Sequence, residues 1–231
     1  MPAFSDPSDQ ETCVQWPLPP ELPPELQPEL QPDWASAQPI LRLGVLASGA
    51  GSNFEALVQA CTDGLLQAEV ALLVVNNPGC GAQQRAERLA IPCQVNDHRS
   101  VASREALDQA LVAAFQAAGV DVVVMAGWMR VVTSTLIGAF PERLINIHPS
   151  LLPSFRGLDA VGQALAAGVT LAGCTAHLVC EEVDAGRILV QAAVPVLATD
   201  DHASLSARIQ HQEHRILPLA VSLVVELVRQ G

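Results

Sequence analysis

The chain has 231 residues, half of them hydrophobic and 16% charged, with a net charge of −12. That length and apolar content suit one globular domain with a sizeable core, and the acidity gives no electrostatic footprint for nucleic acid. All twelve basic residues are arginine and there is no tyrosine, which excludes a Schiff-base lysine, a Walker lysine and a phenolic acid.

Residues 1–38 differ from the rest. Ten of the seventeen prolines fall in residues 1–39, with seven acidic residues and no basic ones. Pro19-Pro20-Glu21-Leu22-Pro23-Pro24-Glu25-Leu26-Gln27-Pro28 begins a low-complexity run. Proline removes backbone donors and fixes φ, so neither helix nor sheet propagates through it. The segment reads as a disordered, solvated tail rather than a polyproline ligand, ahead of a folded domain over residues 39–231.

Residues 41–47 form an apolar strand that stops at Ser48-Gly49-Ala50-Gly51-Ser52-Asn53, and residues 54–60 follow with helical spacing. A second strand, 70–75, ends at Asn76-Asn77-Pro78-Gly79. Then come a helix over 81–89, a short strand over 92–95, and an amphipathic helix over 103–118 with Leu107, Leu111 and Phe115 on one stripe. A fourth strand spans 120–126, a helical turn 133–140, a fifth strand 144–148 and a helix 157–167. Residues 173–179 and 188–196 read as an antiparallel pair joined by 180–187, and 202–230 as a long terminal helix containing Pro218. Alternating strands and helices predict an α/β fold with a mostly parallel sheet and helices on both faces. The right-handed crossover rule then lines up the strand C-termini along one edge. Ser48, Asn76, Met129, Arg130 and His148 all fall at that edge, where open α/β sheets bind ligands.

The glycine-rich loop between the first strand and helix has two readings. Backbone N–H groups at a helix start form an anion site, with Ser52 and Asn53 as side-chain donors. Alternatively the loop is a tight turn that needs glycine. The dinucleotide fingerprint fails because Phe54 stands at its third glycine, and the Walker loop fails for want of lysine.

Asn146 and His148 lie two apart on a strand and so share a face. Pro149-Ser150-Leu151-Leu152-Pro153 then turns the chain, and Asp184 sits in a second loop before Ala185-Gly186. An amide, an imidazole and a carboxylate together can stabilise an oxyanion and move a proton. A carboxylate beside an imidazole favours the imidazolium. Taken alone, Asn-x-His is weak, because both side chains can simply satisfy backbone groups at a strand end. A zinc site using His148, His177 and Asp184 lacks any H-E-x-x-H signature, so no metal is expected. His211 and His214 read as a solvated helix face, and His177 as a strand residue near the site with a supporting role at most. The six cysteines, Cys13, Cys61, Cys80, Cys93, Cys174 and Cys180, include no C-x-x-C pair and read as reduced thiols of a cytoplasmic protein. No signal peptide is visible, and no apolar run reaches the ~18 residues of a membrane span.

Five motifs in order carry a resemblance over residues 41–225. They are Leu43-Gly44-Val45-Leu46-Ala47-Ser48-Gly49-Ala50-Gly51-Ser52-Asn53, Ala126-Gly127-Trp128-Met129-Arg130, Asn146-Ile147-His148-Pro149-Ser150-Leu151-Leu152-Pro153, Val183-Asp184-Ala185-Gly186, and Gln212-Glu213-His214-Arg215-Ile216-Leu217-Pro218. The chain resembles the folate-dependent phosphoribosylglycinamide formyltransferases. The resemblance implies a Rossmann-like formyltransferase fold with an antiparallel C-terminal portion. It implies transfer of a formyl group from 10-formyltetrahydrofolate, a co-substrate, to the amine of 5'-phosphoribosylglycinamide in purine synthesis. By motif, Asn146, His148 and Asp184 match the catalytic trio. Gly51, Ser52, Asn53, Gln210, His211, Gln212 and Glu213 match the ribonucleotide site. Arg104, Met129, Arg130, Val131, Val132, Asn146 and Cys180, Glu181, Glu182, Val183 and Asp184 match the folate site. Partners are then small-molecule substrates, with no nucleic acid and no membrane, and the unit is a monomer or homodimer. Two segments depart from the family pattern: Leu158-Asp159-Ala160, where members carry a polar or histidine-containing stretch, and Asn76-Asn77-Pro78, where members often have Asn-Lys.

The principal alternative is a formyltetrahydrofolate deformylase, a hydrolase with the same trio, which carries a folded N-terminal regulatory domain that the proline-rich tail cannot form. A methionyl-tRNA formyltransferase needs an RNA-binding domain and a basic surface. A non-catalytic binding module has no need to keep Asn146, His148 and Asp184 together.

Overall fold

The computed structural model of the protein describes residues 15–16 and 40–230. Its strands are β1 (Gln15–Trp16), β2 (Leu41–Ala47), β3 (Ala68–Val75), β4 (Cys93–Val95), β5 (Val122–Met125), β6 (Leu144–His148), β7 (Leu171–Leu178) and β8 (Ile188–Pro195). Its helices are α1 (Ser52–Thr62), α2 (Gly81–Arg88), α3 (Arg104–Ala117), α4 (Ser134–Ala139), α5 (Ala160–Ala167) and α6 (His202–Gln230). One sheet holds all the strands in the order β1-β8-β7-β6-β5-β2-β3-β4. Strands β2 to β6 pair in parallel, whereas β7 is antiparallel to both β6 and β8. The expected mostly parallel sheet with an antiparallel C-terminal portion is therefore present.

Period-two alternation builds the two faces. Leu41, Leu43, Val45 and Ala47 of β2 enter a core with Val70, Leu73 and Val75, covered by α1, α2, α5 and α6. Leu46 points the other way, into a second core with Leu72, Val74, Leu107, Leu111 and Phe115 under α3 and α4. Phe115 and Phe140 meet edge to face at 6.1 Å, which joins α3 to the end of α4. Helix α6 carries a buried stripe of Leu205, Ile209, Ile216, Leu217, Ala220, Val221 and Val224, the 3.6-residue pattern of a helix lying on a sheet.

Boundaries differ modestly from the sequence expectation. Helix α5 starts at Ala160 rather than 157, because Asp159 adopts a left-handed φ of 53° and caps the helix, accepting from the Gly162 N–H at 3.1 Å. Gln15 and Trp16 fall within the segment expected to be a disordered tail, yet pair with Ala192 and Gln191 of β8. Neither is proline, so both N–H groups are free to join a ladder. The rest of residues 1–39, including the proline run, lies outside the described residues. No described helix is long and apolar enough to cross a membrane.

Candidate active site

The C-terminal ends of β2, β5 and β6 open into one cleft of about 620 Å³. Strand β6 delivers Asn146 and His148 on the same face, and β7 sets His177 directly opposite Asn146 and Thr175 directly opposite His148. The trio predicted from sequence comes together. Asp184 Oδ2 lies 3.4 Å from His148 Nδ1, and Oδ1 lies 3.4 Å from Asn146 Nδ2. The His148 and Asp184 side chains are each only 8% exposed, so their interaction is weakly screened.

Asp184 reaches the site because its loop folds back on its own strand. Gly186 packs so tightly that a Cβ there would meet the Leu178 carbonyl oxygen at 1.8 Å. Asp184 itself is left-handed, with φ 52°. Its Oδ2 also accepts the Gly157 N–H at 2.9 Å, and an Arg156–Glu182 ion pair ties the two loops together. Burial pushes the Asp184 carboxyl up. The hydrogen bond with His177, the Gly157 N–H and the adjacent imidazoles outweigh burial and hold it below the usual carboxylate range. Asp184 is thus an anion at neutral pH.

The ring of His148 is fixed at its other edge. Nε2 donates to the Phe155 carbonyl at 2.9 Å. That carbonyl is in place because the loop after β6 is bonded from below: Thr175 Oγ1 donates to the Ser150 carbonyl and accepts from Leu152 N–H, and Gln191 Nε2 donates to the Leu152 carbonyl. His177 Nδ1 donates to the Leu178 carbonyl at 2.8 Å, and its Nε2 lies 3.2 Å from Asn146 Nδ2 and 3.6 Å from Asp184 Oδ1. Thr175 and His177 are supporting residues, and the Thr-x-His alternation on β7 was the available signal. Sequence reasoning gave His177 a minor place and passed over Thr175 and Gln191.

The glycine-rich loop forms another wall. Gly51 has φ +79°, and a Cβ there would meet Ala82 Cα at 2.6 Å, so α2 packs directly on the loop. Asn53 Nδ2 donates to Glu213 Oε2 at 2.8 Å, linking α1 to α6. Burial pushes the Glu213 carboxyl up, opposed by that bond. Asn53 Oδ1 is buried without a partner.

Gly51, Ser52, Asn53, Gln210 and Glu213 line the cleft, as do Met129, Arg130, Val131, Val132, Cys180, Glu181, Glu182 and Val183. Three expected contacts do not. His211 is exposed and Gln212 is buried, accepting from Arg215 Nη1. Residues 210–213 make a full helical turn, so only Gln210 and Glu213, three apart, share the cleft face. Arg104 is exposed on the first turn of α3, within electrostatic reach of Asp108 rather than in the cleft. The divergent Leu158 and Asp159 do line the cleft, with Leu158 84% exposed and Asp159 paired to His202 Nε2 at 2.9 Å. Among the described residues no His, Cys, Asp and Glu cluster is arranged to hold a metal.

Residues 41–221 match the formyl transferase family. The phosphoribosylglycinamide formyltransferase of Bacillus subtilis is 38% identical over 82% of this chain and 97% of its own length. The trifunctional purine biosynthetic protein adenosine-3 of Drosophila melanogaster is 46% identical over 80% of this chain, which spans only 14% of that longer protein. The structure of glycinamide ribonucleotide transformylase 1 from Symbiobacterium toebii superposes with a TM-score of 0.80 at 45% identity, covering 81% of this chain and 88% of that one. A cleft at the parallel strand ends that gathers an amide, an imidazole and a carboxylate, on a chain matched so extensively, places this protein in the formyl transferase family, among the phosphoribosylglycinamide formyltransferases.

Proposed function

We infer that the cleft transfers the formyl group of 10-formyltetrahydrofolate to the amine of 5'-phosphoribosylglycinamide, with residues 39–231 as the catalytic domain. The carrying observation is Asp184, a buried carboxylate held ionised while touching both His148 and Asn146. The ribonucleotide phosphate sits at the start of α1, where Gly51, Ser52 and Asn53 offer backbone and side-chain donors and the helix dipole favours an anion. Glu213 and Gln210 accept the ribose hydroxyls. The folate lies against Met129, Arg130, Val131 and Val132 and under the loop from Cys180 to Asp184. Its exposed apolar side chains, Met129, Val131 and Val183, suit a flat aromatic ring.

The amine attacks the formyl carbon, a C–N bond forms, and the formyl oxygen becomes negative. Asn146 Nδ2 and the Nδ1 edge of His148 supply donors to that oxygen. Their contacts to Asp184, each 3.4 Å, are long enough to be exchanged for shorter ones in the reacting complex. Asp184 takes the proton from the attacking nitrogen and returns it, through water, to the folate nitrogen as the second C–N bond breaks. Holding the two substrates together contributes the remainder. The reading includes small-molecule partners alone, a cytoplasmic location, no metal, and a monomer or homodimer.

The test follows the absorbance change on loss of formyl from a 10-formylfolate, with and without the ribonucleotide. Turnover that requires the ribonucleotide is expected. Equal turnover without it identifies a hydrolase and overturns the reading.

A further inference from the structure

The residue that opens the glycine-rich loop ties the end of its own strand to the ends of two others. Ser48, 6% exposed, follows β2. Its N–H donates to the Gly127 carbonyl at 3.1 Å, and its Oγ accepts the Met129 N–H at 2.8 Å, both in the segment after β5. Its carbonyl accepts from Asn77 Nδ2, after β3, at 2.7 Å. The segment after β5 is anchored again at its far end. Asp108 of α3, 2% exposed, accepts from Thr133 N–H at 2.5 Å and Thr133 Oγ1 at 2.8 Å. Between these anchors Trp128 and Val132 are buried, whereas Met129 and Val131 are 69% and 47% exposed. The folate wall is thus a short span fixed at both ends, with the side chains between presented to the cleft. Its back anchor belongs to a helix on one face of the sheet. Its front anchor belongs to the anion loop.

We propose that Ser48 is a positioning residue that couples the two halves of the cleft, so that the phosphorylated substrate and the folate each tighten binding of the other. The inference rests on the substrate assignment above. Gly49 has no atom within 4 Å of the place a Cβ would occupy, and Gly49 and Ala50 are exposed. The Gly49 carbonyl accepts from Ala82 N–H and the Ala50 carbonyl from Arg85 Nε, at 2.9 Å each, so α2 holds the far side of the stretch; an anion bound on the cleft side, which both residues line, orders what remains free. Ordering is transmitted because the Ser48 hydroxyl shares its hydrogen bond with the backbone of Met129. A second ligand that meets an already ordered wall loses less conformational freedom on binding. By linkage the effect is the same in both directions.

The experiment measures the dissociation constant of a non-transferable 10-substituted folate analogue, by calorimetry, with and without saturating phosphoribosylglycinamide. For the native chain the ribonucleotide tightens analogue binding about 5-fold or more, the lower end of ordinary coupling. In Ser48→Ala the ratio falls to within about 2-fold of unity. In Asp108→Asn, which disturbs the back anchor alone, analogue binding weakens while the ratio is kept. Ser48→Cys preserves shape but offers a poor acceptor, and it too loses the ratio. A native ratio of one, or a folded Ser48→Ala with the native ratio, overturns the proposal. So does the unfolding of both Ser48 variants, since the residue is then only structural. Failure of the native chain to bind either compound instead overturns the substrate assignment, and the two failures are separately visible.

Discussion

At the scale of single residues, the account depends on Asp184 staying charged in a buried site. Replacing His148 by Ala, or Asp184 by Asn, is expected to lower kcat on the order of 10²-fold or more, with much smaller effects on ribonucleotide binding. Steady-state kinetics with both substrates varied checks this, and a near-native kcat in either variant removes the catalytic assignment. Glu213 presents the opposite electrostatics. Burial raises its pKa, so the folded state binds a proton more tightly than the unfolded chain does. Folding stability contributed by this group therefore falls as pH rises from the unfolded carboxylate value toward the higher folded one. Glu213→Gln removes that penalty and lets the amide pair with the orphaned Asn53 Oδ1. The variant is expected to melt at a higher temperature at pH 7 while its KM for the ribonucleotide rises, a site-for-stability exchange. A lower melting temperature at neutral pH contradicts it.

At the scale of elements, the glycine-rich turn and the start of α6 are the pieces most open to test. Gly51→Val meets both a φ of +79° and the α2 backbone at 2.6 Å, so a loss of stability of about 2 kcal/mol or more is expected by denaturant titration. Gly49→Ala, where nothing lies within 4 Å, keeps the fold and isolates any effect on phosphate binding. Asp200 accepts from Leu197 N–H and Ser204 Oγ and pairs doubly with Arg208. The guanidinium of Arg208 holds its pKa down at about 2. Because the folded pKa is depressed, its contribution is complete above the unfolded value near ~3.9 and is lost as pH falls through the folded one. The stability advantage of the native chain over Asp200→Asn is thus full at pH 6 and fades between about pH 4 and 2; a constant advantage down to pH 2 refutes this. The helices and strands were legible in the sequence because period-two and 3.6-residue patterns report burial directly. Asn146 and His148 were legible for the same reason, two apart at a strand end. What escaped was set by tertiary contact: the Phe155 carbonyl against His148, and Thr175 and Gln191 under the loop, are brought there by an antiparallel register. His211 and Gln212 were read as contacts because a motif match carries a contiguous stretch, whereas a helix shows the cleft only one face of it.

At the scale of the molecule, one sheet gathers β2, β5 and β6 so that the glycine-rich loop, residues 128–132 and the Asn146, His148 and Asp184 side chains share a single cleft. The N-terminal segment contributes two described residues to the far edge of that sheet, beside β8. Deleting residues 1–38 is therefore expected to leave kcat/KM unchanged and to lower Tm by no more than a few degrees, as seen by differential scanning fluorimetry; a large drop would show that the segment packs on the domain. The central claim is that this cleft joins two substrates, not that it hydrolyses one. It is tested most directly by supplying 10-formyltetrahydrofolate labelled with carbon-13 in the formyl group, together with phosphoribosylglycinamide, and following the label by mass spectrometry. The account predicts that the label arrives on the glycinamide amine, one formyl for each tetrahydrofolate released. Label recovered as free formate, at a rate indifferent to the ribonucleotide, would contradict it.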